Sequence, residues 1–309
     1  MSDAERVLPH FRRLRALAFA ACACALGAPV QAASPQRITD DLARQVEVGV
    51  PARRVVTLAP HLTELVYAAG AGATLVGADR YSDYPPAARE LPRIGDAFQQ
   101  DAERILALAP DLVLAWGSGT PRAAIDRLAG LGLAVVALEP RGLEDIARQL
   151  LLIGELTGHA TTAQHAADTY RARLAALRER HAGRAPVKVF YQVSAQPLYT
   201  VNGAHTISEL LALCGGINVF ADLEVLAPVV ALEAVLARAP EAIVTGYAAA
   251  ELDMWRRFPE LPAVAHGNLF VIDGSLVARA TPRLLEGGER LCAVLEQARR
   301  NREERAAGG

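Results

Sequence analysis

The residues that could do chemistry in this chain are sparse, and their spacing suits adhesion better than catalysis. Ser118 lies in Trp116-Gly117-Ser118-Gly119, which lacks the first glycine at the offset a nucleophile turn requires. Gly70-Ala71-Gly72 follows a predicted helix rather than a strand, so it reads as a helix stop and not as a dinucleotide fingerprint, and no Walker loop occurs. The seven histidines (10, 61, 159, 165, 181, 205 and 266) include no i, i+4 pair to hold a metal from one helix face. His61, at a strand end beside Glu64, reads as a capping or solvent-facing residue rather than a ligand. These residues give no support to an enzyme, a resident cofactor or a metal centre. The stronger signal is aromatic: Tyr81-Ser82-Asp83-Tyr84-Pro85-Pro86 and Trp116 fall at the ends of predicted strands, where open α/β sheets bind ligands. Flat rings suit a flat macrocycle, and tyrosine adds a hydroxyl handle; packing of the loop against its prolines is the plainer alternative.

The elements that must position these residues alternate between short apolar runs and amphipathic stretches, the pattern of sheets covered by helices. Residues 55–58, 75–78, 112–115 and 134–138 read as strands, with helices over 63–69, after Pro121 and from near Leu143. From 143 to about 181 the pattern is helical with little turn chemistry apart from Gly158, and residues 161–180 alone would run about 30 Å. A second set of strands follows at 187–193, 199–201, 242–245 and 269–272, and a helix over 282–299 closes the chain. The predicted fold is therefore α/β, two lobes joined by one long helix. Its bounds are a signal peptide at 1–32, a polar, periodicity-poor lead-in at 33–52, a first lobe at 53–142, a connecting helix at 143–183, a second lobe at 184–300 and a tail at 301–309.

The two lobes share a repeat. Glu103-Arg-Ile-Leu-Ala-Leu-Ala-Pro110-Asp-Leu-Val-Leu matches Glu233-Ala-Val-Leu-Ala-Arg-Ala-Pro240-Glu-Ala-Ile-Val. Each copy opens a helix with an acid, stops it at a proline and feeds a strand. Glu103 and Glu233 thus fall at equivalent places, either as a functional pair or as ordinary helix-end charges.

Composition narrows the class further. With 309 residues at 52% hydrophobic content, the chain can bury a core in each of two lobes. Its net charge of −2 and lack of a basic run leave nucleic acid out as a partner. Arg12, Arg13 and Arg15, the apolar run 16–30 and the small residues of Val30-Gln31-Ala32 form a secretory signal with cleavage expected after Ala32. Phe19-Ala20-Ala21-Cys22 only faintly resembles a lipobox. Cleavage removes four arginines and two acids, taking the charge from −2 to −4, and takes Cys22 and Cys24 away. Cys214 and Cys292 remain, an even count that pairs in an oxidising compartment, with two buried free thiols as the alternative.

Over residues 53–300 the chain resembles the periplasmic cobalamin-binding proteins, the helical-backbone class (class III) of solute receptors. The resemblance is carried by Tyr81-Ser-Asp-Tyr-Pro-Pro86, Glu103-Arg-Ile, Pro110-Asp-Leu-Val-Leu-Ala-Trp116, Cys214-Gly-Gly216 with Asn218 and Phe220, Glu233 with Val235-Leu-Ala-Arg238, and Arg279-Ala-Thr-Pro-Arg283 ahead of Cys292. It implies a monomer that clasps a corrinoid between two lobes and delivers it to the permease dimer of an ABC transporter. Tyr81 falls on a corrin-contacting tyrosine, Cys214 and Cys292 on a disulfide, and Glu103 and Glu233 on the acids that dock permease arginines. Together with the strand-end aromatics, the candidate ligand set is Tyr81, Tyr84, Phe98, Trp116, Ser275 and Arg279. Two tryptophans of the family pattern are replaced by Ala97 and Ala227, and an acid-aromatic pair by Ser275-Leu276. The pocket is less aromatic and less acidic than the pattern, which leaves haem or a ferric siderophore as the alternative ligand.

Overall fold

The computed structural model describes residues 34–97 and 99–308. The signal-peptide expectation and Phe98 lie outside the described residues. The expected lead-in is a two-stranded antiparallel hairpin, β1 (Ser34–Thr39) with β2 (Gln45–Val50). Its strand signal is the short alternation Gln45-Val46-Glu47-Val48, in which Val48 is buried and Gln45 and Glu47 face solvent. At the hairpin turn Asp40 pairs with Arg44 at 2.6 Å and accepts the Ala137 amide at 3.1 Å. That contact pins the turn to the edge of the first lobe and carries Asp41 and Leu42 with it.

The first lobe is a four-stranded parallel sheet in the order β4-β3-β5-β6, from β3 (Val55–Thr57), β4 (Leu75–Ala78), β5 (Leu112–Trp116) and β6 (Val135–Leu138). Its strands are near-continuous apolar runs because helices cover both faces. The helices are α1 (Pro60–Ala68), α2 (Ala102–Ala107) and α3 (Arg122–Gly130).

The connector is two helices rather than one. Gly158, at φ +75°, ends α4 (Leu143–Thr157), and α5 (Ala160–His181) turns back along it. The 22-residue α5 is the long helix, roughly 33 Å, and buries the stripe Ala163, Ala167, Tyr170, Leu174 and Leu177 at helical spacing. The Tyr170 hydroxyl donates to the Leu143 carbonyl at 2.9 Å, which ties α5 to the start of α4.

The second lobe repeats the first. Strands β7 (Val187–Gln192), β10 (Gly216–Asn218), β11 (Ala242–Thr245) and β12 (Leu269–Val271) form a parallel sheet in the order β10-β7-β11-β12, with a small hairpin of β8 (Ser194–Ala195) and β9 (Leu198–Tyr199) beside it. Its helices are α6 (Thr206–Leu213), α7 (Leu232–Arg238), α8 (Pro262–Ala265), α9 (Gly274–Val277) and α10 (Leu284–Gly308), so the closing helix continues through the stretch expected as a tail. The sequence repeat is a structural one. Asp111 accepts the Arg53 and Arg54 amides at 2.7 and 2.9 Å, and its counterpart Glu241 accepts the Lys188 amide at 2.9 Å. Ahead of each acid, Ala109 and Ala239 adopt the same left-handed conformation, at φ 43° and 46°.

One core of buried side chains runs from α1 and α4 through α5 to α6 and α10, so the lobes share apolar packing. Cys214 and Cys292 form a disulfide between the end of α6 and α10. Among the described residues, no helix is long and apolar enough to cross a membrane.

Candidate functional site

Where the lobes face one another they enclose an open cleft of about 430 Å³. The first lobe and its hairpin contribute Asp41, Leu42, His61, Trp116, Glu139 and Arg141; the second contributes His205, Thr206, Leu226, Ala278 and Ala280. Most of these residues follow a strand or begin a helix, so the cleft lies outside the carboxyl ends of the sheets, as open α/β architectures dictate.

Trp116 ends β5 and is held at both ends of its turn. Its amide donates to Thr120 Oγ1 at 3.1 Å and its carbonyl accepts the Thr120 amide at 2.9 Å. Gly119 leaves room for the ring, since a Cβ there would lie 1.9 Å from it. His61 meets the indole edge-on, with centroids 5.2 Å apart at 81°. The expected capping or solvent role of His61 is corrected: α1 is capped by the backbone of Ala59 without a side-chain bond, and His61 is 6% exposed. Burial first, and the nearby Arg279 guanidinium second, push the imidazole pKa down to about 3, so it is neutral at physiological pH. His61 Nε2 and Trp116 Nε1 are buried without a hydrogen-bond partner among the described residues.

Charged groups stand around this floor. Asp41 holds Arg148 through bonds of 2.9 and 3.0 Å and accepts the Glu139 amide at 2.7 Å. Glu139 in turn accepts the Ser118 amide at 2.5 Å. On the opposite wall His205 caps α6 by accepting the Ile207 amide at 3.1 Å, and burial lowers its pKa to about 4. The cleft thus presents an indole, two uncharged imidazoles and a few fixed carboxylates.

Of the expected ligand set, Trp116 alone among the described residues lines the cleft. Tyr81 and Tyr84 are 60% and 43% exposed and do not line it, and Tyr84 instead lines a separate pocket with Glu64, Tyr67 and Arg283. Arg283 lies over the Tyr84 ring, 3.8 Å from its centroid. Arg279 is engaged across the lobes, with Glu64 at 2.8 Å, Asp83 at 2.6 Å and the Tyr81 carbonyl at 3.3 Å. Asp273 caps α9, accepting the Ser275 amide at 2.9 Å and the Ser275 hydroxyl at 2.7 Å, and Ser275 is not among the cleft-lining residues. Glu103 and Glu233 are exposed in the first turns of α2 and α7 and form no ion pair among the described residues. Sequence reasoning missed Asp41, Glu139, His205 and Leu226, which converge only through tertiary structure.

The family profile described as "Periplasmic binding protein" matches residues 55–276. The chain belongs to that family. A vitamin B12-binding protein of Vibrio cholerae is 39% identical to this periplasmic binding protein over 252 residues, 81% of this chain and 91% of the relative. The crystal structure of the periplasmic vitamin B12 binding protein of Vibrio cholerae superposes with a TM-score of 0.77 at 39% identity, covering 81% of this chain and 98% of that one. A periplasmic heme binding protein from Pseudomonas aeruginosa superposes at 0.70 with 27% identity over 78% and 92% of the two chains. The shared architecture is the class III receptor fold, two α/β lobes with a long helix between them.

Proposed function

We propose that this periplasmic binding protein captures a corrinoid of the cobalamin type between its lobes and delivers it to the permease dimer of an ABC importer. The observation that carries the reading is the cleft itself: Trp116 and the neutral His61 form its floor in a chain 39% identical to a vitamin B12-binding protein. A corrinoid presents a flat apolar face and an amide-rich edge, which match an aromatic floor and hydrogen-bonding walls. Tyr81 and Tyr84, both exposed, are proposed to cover the outer side of a ligand wider than the cleft, and Phe98, Ser275 and Arg279 remain proposed contributors. Haem is the second reading, favoured by the heme binding protein of the same fold.

Calorimetric and absorbance titrations of the exported protein with cobalamin, haemin and a ferric siderophore decide between these ligands. A submicromolar Kd for cobalamin supports the assignment; no response to cobalamin beside saturable binding of haemin or the siderophore replaces it. For delivery, Glu103 and Glu233 each present an unpaired carboxylate on one lobe, as a two-fold partner requires. Such contacts steer and register more than they bind, and salt weakens them. In vesicles carrying the cognate permease, Glu103→Arg and Glu233→Arg should each lower transport while leaving ligand affinity unchanged. Normal transport by both variants would make these acids helix-end charges only.

A further inference from the structure

Glu64 sits on α1 in the first lobe with its side chain only 3% exposed, and its carboxylate is bonded entirely to the second lobe. Arg279 Nη1 donates to Oε1 at 2.8 Å and Thr281 Oγ1 to Oε2 at 3.2 Å, while Arg283 Nη1 lies 3.4 Å from both oxygens. These three residues come from one short stretch between α9 and α10, so a single carboxylate gathers a turn of one lobe against a helix of the other. Asp83 also pairs with Arg279 at 2.6 Å, but its side chain is 55% exposed, so water and salt weaken that contact. The buried contacts differ in kind. Separating the lobes there would leave a carboxylate and two guanidiniums in poorly hydrated surroundings without partners, which is costly.

A second tie lies elsewhere on the lobe boundary. Glu209 of α6 accepts the Leu143 amide at 2.6 Å and pairs with Arg178 of α5 at 3.1 Å, joining the second lobe to the connector. With that tie fixing the connector, the Glu64 cluster is left to control the separation of the lobes beside Arg279 and His61.

We propose that Glu64 is a positioning residue that sets the gap between the lobes before ligand arrives and holds Arg279 at the rim of the cleft. It acts through Arg279, Thr281 and Arg283 and touches no ligand itself. The part of the proposal that concerns affinity rests on the ligand reading given above; the part that concerns the gap does not.

The test uses Glu64→Gln, which keeps the side-chain shape and removes the charge. Spin labels on Asp126→Cys and Glu260→Cys, both exposed and one on each lobe, report the separation by pulsed electron paramagnetic resonance in the disulfide-intact protein. Without ligand, Glu64→Gln should broaden the distance distribution toward longer separations, and Asp83→Asn should leave it unchanged. Saturating cobalamin should restore the narrow distribution, with affinity lowered by about tenfold for the loss of charge-assisted bonds. A wild-type distribution in ligand-free Glu64→Gln overturns the proposal even if the melting temperature falls, because a merely stabilising role would give that result. If the unsubstituted protein fails to bind cobalamin, the ligand assignment falls, and the ligand-free distances still decide the role of Glu64.

Discussion

Replacing Cys214 and Cys292 together by alanine should lower the melting temperature by several degrees without altering the cleft. The bridge closes a loop of 78 residues between α6 and α10. In the chain-entropy account, a loop of that length restricts the unfolded chain by about 15 cal/mol/K, or about 4.5 kcal/mol at 25 °C. For a unit the size of Ser34–Gly309 the entropy of unfolding is about 0.6 kcal/mol/K, so the full effect corresponds to a fall of about 8 °C and half of it to about 4 °C. Both sulfurs are buried, at 0% and 1% residue exposure, so alanine also removes packing and adds to the fall. Differential scanning calorimetry of the double variant, and of wild-type protein under reducing conditions, measures the effect. A fall of less than about 1 °C in both would refute the claim that this bridge constrains the unfolded chain on the scale its loop length implies.

Three further outcomes follow from particular side chains. Gly119→Ala places a Cβ where the Trp116 ring now lies, so it should lower ligand affinity about tenfold or more by displacing the indole; unchanged affinity by calorimetry rejects the placement of Trp116 as the cleft floor. His61 has a folded-state pKa near 3, below the unfolded value near 6.5, so only the unfolded chain gains its proton between those values, and stability is lost as the pH falls through that window. The His61 contribution is at most about 1.4 kcal/mol per pH unit, and His205, lowered to about 4, adds to the same slope. Urea midpoints between pH 7 and pH 4.5 should fall less steeply in His61→Phe than in wild type, and equal slopes would exclude a buried neutral imidazole. Finally, Ala109→Gly and Ala239→Gly relieve left-handed alanines and should each stabilise the protein by about 0.5 kcal/mol, after the entropy glycine adds to the unfolded chain; destabilisation in urea would show that the methyl groups pack.

The four strands of the first sheet, three of the four in the second and the repeat were legible because parallel strands buried on both faces are continuous apolar runs, whereas the short β10 (Gly216–Asn218) was missed and the strand expected at 199–201 belongs to the β8–β9 hairpin. The repeat keeps the same order of helix, proline and acid in both halves. The hairpin was not legible, since its alternation spans only a few residues and its anchor, Asp40 to the Ala137 amide, joins positions far apart in the chain. Gly158 was visible as turn chemistry, yet the reversal into α5 depends on its left-handed backbone and on the apolar stripe that packs α5 against α4. At the cleft, Trp116 was legible from its place at a strand end. The burial of His61 was not, because it is decided by contact with the Trp116 ring and by Arg279 arriving from the other lobe. The partners of Arg279 were likewise hidden, since Glu64 is 215 residues away.

Helix α10 bears on the order in which the protein can be completed. It supplies Leu284, Leu285, Leu291 and Leu295 to the shared core, and Cys292 to the bridge. A chain delivered N-terminus first has every strand of its first sheet in hand while the second lobe still lacks this wall. During that interval Cys214 stands as a thiol beside an uncovered apolar surface, where mispairing, proteolysis and aggregation compete with folding. Cys22 and Cys24 are the wrong partners the chain itself could offer. The cleavage expected from the sequence after Ala32 would discard both, leaving the waiting thiol with Cys292 as its partner in the same chain.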